Sequence, residues 1–215
     1  ETKELNWITL SKGDDFSFIG YKKTSGKSQI RRYAHQGDQI FIVMDKTPFY
    51  AESGGQIGDT GTIKGSGVDL IVNDVKKDSE EFIHYCTGSI DKKIKGSVSC
   101  EVDFERRQNI RKNHTATHLM HQALKDVLGE HVQQAGSLVH PDYIRFDLSH
   151  YEKISNEKIR IIESIVNTQI LLNRSLDVSV KSFDEAKNDG AIAMFGEKYG
   201  EEVRVITIAD YSKEL

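Results

Sequence analysis

Two histidines, His114 and His118, stand four residues apart in the run His114-Thr115-Ala116-Thr117-His118. On a helix this spacing puts both imidazoles one turn apart on one face, where they can reach a single metal ion. Apolar residues recur at helical period around them: Ala116, Leu119, Met120, Ala123, Leu124, Val127 and Leu128. At about 3.6 residues per turn that stripe lies away from the two histidines. The helix is therefore expected to bury one face and turn His114 and His118 elsewhere, with His121 close to the same polar side. A metalloprotease would need Glu directly after the first histidine as general base. That position is Thr115, which disfavours a zincin.

Further polar candidates follow the helix. Gln133 and Gln134 lie just past it, Arg145 and Asp147 fall on a later strand, and Glu197 and Lys198 sit within Met194–Gly200. Ser137 and Ser149 have no evident paired base, so a reaction using bound water is more natural than a covalent nucleophile. Lys plus Arg number 29 against 33 for Asp plus Glu, a net charge of -4. The whole chain thus carries no nucleic-acid signature, and any such contact must come from local clusters. One cluster is Arg106, Arg107, Arg111 and Lys112; another, Lys22, Lys23, Lys27, Arg31 and Arg32, suits a solvated face.

The elements that must hold these groups divide the 215 residues into two parts. Residues 1–105 read as short strands, at Gln39–Met44, Asp69–Val75, Glu81–Cys86 and Ser97–Phe104. Turn signals at Ser25-Gly26, Gly37-Asp38, Gly65-Ser66-Gly67 and Thr87-Gly88-Ser89 separate them, and the pattern predicts a small antiparallel β-barrel. Thr47–Gly61 stands out, with four glycines and one of the chain's two prolines. Its glycines, Gly54 and Gly55 among them, allow close approach of a ligand or RNA strand, or simply a tight barrel corner. It has neither a P-loop ending nor GxGxxG spacing.

Residues 106–215 predict an α+β domain with helices packed on an antiparallel sheet. The histidine helix runs to about Leu128 and stops at Gly129. A strand pair spans Gly136–Val139 and Tyr143–Leu148. Ser155 caps a helix reaching about Asn173, with Ile159, Ile162, Val166 and Ile170 on one face. Leu176, Val178 and Val180 alternate as a strand, Phe183–Asn188 is a short helix, and Val203–Ile208 is a final strand. Cys86 and Cys100 lack CxxC spacing and suit reduced, half-buried thiols in a cytoplasmic protein. No run has the apolar length of a membrane span, and no signal peptide opens the chain.

Five stretches taken together give the sequence a family likeness. They are TPFYAESGGQIGDTG at Thr47–Gly61, RKNHTATHLMHQAL at Arg111–Leu124, QAGSLVHPDYIRFDLSH at Gln134–His150, GAIAMFGEKYGEEVRV at Gly190–Val205 and DYSKEL at Asp210–Leu215. Their content and order resemble the editing region of bacterial-type alanyl-tRNA synthetases. The resemblance implies a small β-barrel followed by the α+β editing domain shared with threonyl-tRNA synthetases. It implies an aminoacyl-tRNA deacylase that hydrolyses serine or glycine from mischarged tRNA-Ala. The partner would be the tRNA-Ala acceptor end.

In that family His-x-x-x-His supplies two zinc ligands, which fall on His114 and His118, and a later Cys-x-x-x-His supplies two more. A run like Ser212-Lys213-Glu214-Leu215 leads there directly into Cys-Gly-Gly-Thr-His. This sequence stops at Leu215, and neither Cys86 nor Cys100 occupies the missing position. Half the four-coordinate set is therefore expected to be absent, and the chain alone to be poorly active or inactive. The family's active-site glutamine maps onto Gln134. ATP and magnesium are implied only for the aminoacylation domain of a parent ligase, which is not recognisable here.

An alanine-sized synthetic site excludes glycine and serine by few kcal/mol, so a second, hydrolytic site is the usual answer. Thr115, Thr117, Gln134 and Asp147 are the side chains expected to meet the serine hydroxyl or the attacking water, with Gln134, Thr115 and Asp147 the catalytic candidates. Arg106, Arg107, Arg111 and Lys112 are expected at tRNA phosphates, with Gly54 and Gly55 near the same RNA end. A free-standing trans-editing protein and a non-catalytic tRNA-binding module with the same fold are the alternatives. A general zinc esterase fits less well, for want of a Glu base.

Overall fold

The structure, a computed structural model, describes residues 5–13, 15–91, 94, 97–192 and 200–214. Its elements run β1 (Ile8–Thr9), β2 (Ser17–Phe18), β3 (Ser25–Ser28), β4 (Ile30–Gln36), β5 (Gln39–Met44), β6 (Lys46–Thr47), β7 (Gly61–Gly65), β8 (Val68–Asp78), β9 (Glu81–Ile90) and β10 (Val98–Val102). Then come α1 (Phe104–Leu128), β11 (Gln134–Val139), β12 (Ile144–Leu148), α2 (Asn156–Leu171), β13 (Leu176–Ser182), α3 (Phe183–Asn188), β14 (Glu202–Ile208) and β15 (Ser212–Glu214). Strand-rich and helix-bearing parts are segregated along the chain, an α+β arrangement. Two compact units result, Glu1–Ile110 and Arg111–Leu215.

In the first unit eight strands form an antiparallel sheet in the order β1-β4-β5-β9-β8-β7-β10-β3, with β2 and β6 paired in parallel beside it. Among the described residues the hydrogen-bonded ladder has two ends, β1 and β3. Period-two patterning explains the strands: Val68, Leu70 and Val72 of β8 are buried while Asp69, Ile71 and Asn73 are exposed. In β10, Val98, Cys100 and Val102 alternate inward in the same way. β5 is buried along nearly its whole length.

Two sequence expectations change here. Ser25-Gly26 and Thr87-Gly88-Ser89, taken as turns, lie inside β3 and β9. At Gly88, with φ +126, a Cβ would sit 2.2 Å from the Asp69 carbonyl oxygen, so the glycine admits a neighbouring strand rather than a turn. Arg31 and Arg32, assigned to a solvated face, belong to β4. Arg31 pairs with Asp15, while Arg32 pairs with Glu81 and lies 4.6 Å from the Trp7 ring.

In the second unit α1 supplies Ala123 and Leu124, which pack with Val132 of the following loop, Phe146 and Leu148 of β12 and Ile162 of α2. Gly129 ends α1 with φ +117, its N–H donating to the Lys125 carbonyl at 2.8 Å. Ser155 caps α2, accepting from the Lys158 N–H at 3.3 Å. The buried face of α2 is narrower than predicted. It carries Ile162, Ile165 and Val166, whereas Ile159 and Ile170 are exposed. β13, β14 and β15 form a second antiparallel sheet, and α3, opened by a Ser182–Glu185 capping box, packs its Ala186 against Val203 and Val205. No helix among the described residues is long and apolar enough to cross a membrane.

Candidate functional site

The histidine helix is buried on more than its apolar stripe. Thr117, His118 and His121 are buried, which the expected outward-turned polar face did not anticipate. The cause is Glu214 on β15, 1% exposed. Its Oε2 accepts from His118 Nδ1 at 2.5 Å and its Oε1 from His121 Nδ1 at 3.0 Å. A carboxylate only accepts, so each imidazole must carry its proton on Nδ1. In neutral rings the two Nε2 atoms are then bare; both are buried and have no hydrogen-bond partner, and Ser212 Oγ, two residues before Glu214, is a third such atom. Burial raises the Glu214 carboxyl, but the hydrogen bonds from His118 and His121 outweigh it and hold the group at about 2. The His114 ring stacks on His118 with centroids 5.0 Å apart. Burial, and then the neighbouring His118, push its pKa down to about 4, leaving it neutral at pH 7.

This donor set fits a divalent transition metal in part. Neutral imidazoles at i and i+4 are the ligands zinc takes, and a buried bare nitrogen is otherwise left unsatisfied. Among the described residues no three His, Cys, Asp or Glu side chains converge to hold a metal. The carboxylate of Glu214 is occupied by the two Nδ1–H groups.

The β11–β12 hairpin carries the next candidates. Gln134 Nε2 donates to Ser137 Oγ at 3.2 Å. Ser137 lies opposite Phe146, whose ring is 5.2 Å from that of His121, so this face of the hairpin is turned to α1. Asp147 lies opposite Gly136 on the other face, where Arg145 Nε donates to its Oδ2 at 3.1 Å. Gln134 and Asp147, both candidates from the sequence, are not brought together: the register across the bulge between Gln134 and Gly136 puts them on opposite faces of the hairpin. Thr115 and Thr117 donate their hydroxyls to the Arg111 and Asn113 carbonyls at 3.1 and 2.9 Å, each one turn back. Asn113 in turn donates to the His140 and Pro141 carbonyls, at 2.6 and 3.1 Å, fixing the turn before β12. Glu197 and Lys198 lie outside the described residues.

The basic cluster before the histidines divides in two. Arg107 is 7% exposed, and its guanidinium pairs with the buried Asp59 and donates to the Gly20 and Pro48 carbonyls at 3.0 and 2.9 Å. Asp59 Oδ2 also accepts the Tyr50 N–H at 2.6 Å. Arg106 donates to the Gly58 carbonyl at 2.9 Å. The expectation that Arg107 meets phosphate is corrected, since its donors hold the glycine-rich loop. Arg111 and Lys112 are exposed. Gly54 and Gly55, at φ +55 and +76, turn the loop tip, and nothing lies within 4 Å of a Cβ at Gly54.

The chain is similar to known proteins over most of its length. The family described as tRNA synthetases class II (A) matches residues 15–106. An alanine–tRNA ligase of Thermoanaerobacter sp. (strain X514) is 44% identical over 210 residues, covering 92% of this chain and 24% of the relative. The same-named enzyme of Bacillus velezensis is 46% identical over 212 residues, 93% of this chain and 24% of the relative. That of Stenotrophomonas maltophilia is 49% identical over 185 residues, 85% and 21% respectively. The chain is homologous to a segment of alanine–tRNA ligases. It spans about a quarter of the length of the relatives it matches. The class II synthetase match ends just inside α1, so His114, His118, Gln134 and Glu214 lie beyond it.

Proposed function

We propose that this segment is the editing region of an alanine–tRNA ligase, a small barrel followed by an editing domain, and that it hydrolyses the ester of seryl- or glycyl-tRNA-Ala. The observation that carries the reading is the buried His118–Glu214–His121 cluster. It sits on a helix bearing His-x-x-x-His and leaves two imidazole nitrogens buried without a hydrogen-bond partner.

His114 and His118 would hold zinc. When bound, zinc supplies Lewis acidity that fixes the substrate or lowers the pKa of water. The contact between Glu214 and His118 supports a four-ligand centre, because in the resembled family a Cys-x-x-x-His run follows the residue after Glu214. Gln134, on the hairpin face turned to α1, orients the amino acid or the attacking water. Water adds to the ester carbonyl carbon, the bond to the ribose oxygen breaks, and that oxygen leaves with a proton as the amino acid is freed. Serine is favoured over alanine if its hydroxyl satisfies a buried polar group that alanine leaves unpaired, worth roughly 1–3 kcal/mol per group. Arg111 and Lys112 meet acceptor-end phosphates.

The test is deacylation of Ser-tRNA-Ala by this chain and by one extended through Cys-x-x-x-His, with zinc measured on both. The expected result is one zinc and hydrolysis in the extended chain, with a large loss of rate in Gln134→Ala and unchanged folding. Zinc-free hydrolysis by the extended chain, or unchanged rates in Gln134→Ala, would overturn the respective assignments.

A further inference from the structure

We propose that Glu214 is a positioning residue of the metal centre: by accepting Nδ1–H from both His118 and His121, it fixes the tautomer that leaves His118 Nε2 bare for the metal. The proposal rests on the zinc reading above and deepens it.

Three observations carry it. The two carboxylate oxygens are divided between the two rings, 2.5 Å from His118 and 3.0 Å from His121, so neither ring can present Nδ1 as an acceptor there. Both Nε2 atoms are buried without partners. A neutral imidazole with no fixed tautomer would place its proton on either nitrogen and would block a metal half of the time or more. Finally, Glu214 is itself 1% exposed, and a carboxylate so buried is tolerated only when its lone pairs are met. Metal-bound histidines commonly donate their second N–H to a carboxylate that sets ring orientation and raises basicity. Here the carboxylate comes from a strand 96 residues away in sequence. His121 has a separate part: it occupies Oε1, stops the carboxyl from rotating, and leaves Oε2 to His118.

Long-range proton–nitrogen NMR of the histidine rings in this chain, without metal, reads the tautomers directly. The expected spectrum has His118 and His121 protonated at Nδ1 and bare at Nε2. In Glu214→Gln the amide offers one acceptor and one donor, so one ring must reverse its tautomer. Zinc affinity of the chain extended through Cys-x-x-x-His, followed by the His114 and His118 ring signals, should fall 10- to 100-fold in this variant. His121→Asn, whose amide keeps a donor toward Oε1, should retain most of it. A proton on His118 Nε2 in the unmodified chain, or equal zinc affinity in folded Glu214→Gln, overturns the role of Glu214 and leaves the zinc reading standing. The expected tautomers, with zinc leaving the His114 and His118 signals unmoved in the chain extended through Cys-x-x-x-His, overturn the zinc reading and this proposal with it.

Discussion

His84 shows what one buried ring contributes when it must stay neutral. It is fully buried in the first unit, where Nδ1 donates to the Ile42 carbonyl at 3.0 Å and Nε2 accepts the Thr47 hydroxyl at 2.7 Å. Burial, outweighing its backbone hydrogen bonds, holds its pKa at about 4. The unfolded chain takes up a proton near pH 6.5, the folded one only near 4, so stability is full above 6.5 and falls as pH drops toward 4. The difference corresponds to roughly 3 kcal/mol. Urea unfolding at pH 7 and 4.5 should show this loss, and His84→Gln should flatten it. Thr47→Val should destabilise by about 1–3 kcal/mol at pH 7, because it strips the partner from His84 Nε2 and from the Phe49 N–H, which Thr47 Oγ1 accepts at 3.1 Å. At this scale the sequence disclosed donors better than their partners. His114 and His118 were legible from spacing alone. Glu214 was not, because nothing in a Ser-Lys-Glu run says which distant helix it meets.

Among elements, the glycine-rich loop between β6 and β7 is held by a charge. Arg107, on the first turn of α1, closes on Asp59 and on two backbone carbonyls. Removing one partner leaves the other charged and buried, so Asp59→Asn or Arg107→Met should destabilise the first unit by about 3–5 kcal/mol. Thermal unfolding and proteolysis within Thr47–Gly61 would register it, and wild-type stability in Arg107→Met would refute the assignment. The loop's oddity was plain from its composition, whereas the lock was hidden, since a basic cluster looks the same whether it faces phosphate or a buried aspartate. Predicted strands succeeded where burial alternates, as in β8, and where a β-branched run is buried along nearly its whole length, as in β5. They failed at β4, where Arg31, Arg32, His35 and Gln36 leave only Ile30, Tyr33 and Ala34 as hydrophobic positions. β13 alternates as expected, yet Leu176, Val178 and Val180 are exposed, because alternation reveals a strand and not what covers it.

For the molecule as a whole, acid should act in two windows. Between pH 6.5 and 4 both units lose stability, through His84 in the first and His114 in the second. Glu214, held at about 2 against an ordinary 4.5, contributes stability above 4.5 that disappears only as pH falls through about 2. Histidine-resolved NMR during acidification should therefore show the His118–Glu214 bond among the last to go. Binding of tRNA should weaken with salt, and reversing Arg111 and Lys112 to Glu should lower both the affinity and the salt slope; an unchanged slope would count against the phosphate contact. The family likeness was legible because five long motifs occur together in one order, which no single residue or short spacing supplies.

The hydrogen bonds of Glu214 also set an order of events during synthesis. The helix that carries His118 and His121 leaves the ribosome more than ninety residues before the strand that caps them. Until then two imidazoles destined for the interior stand hydrated on a partly formed domain. At roughly 5–20 residues per second, that interval lasts several seconds, long enough for a chaperone or a stray metal ion to reach them first.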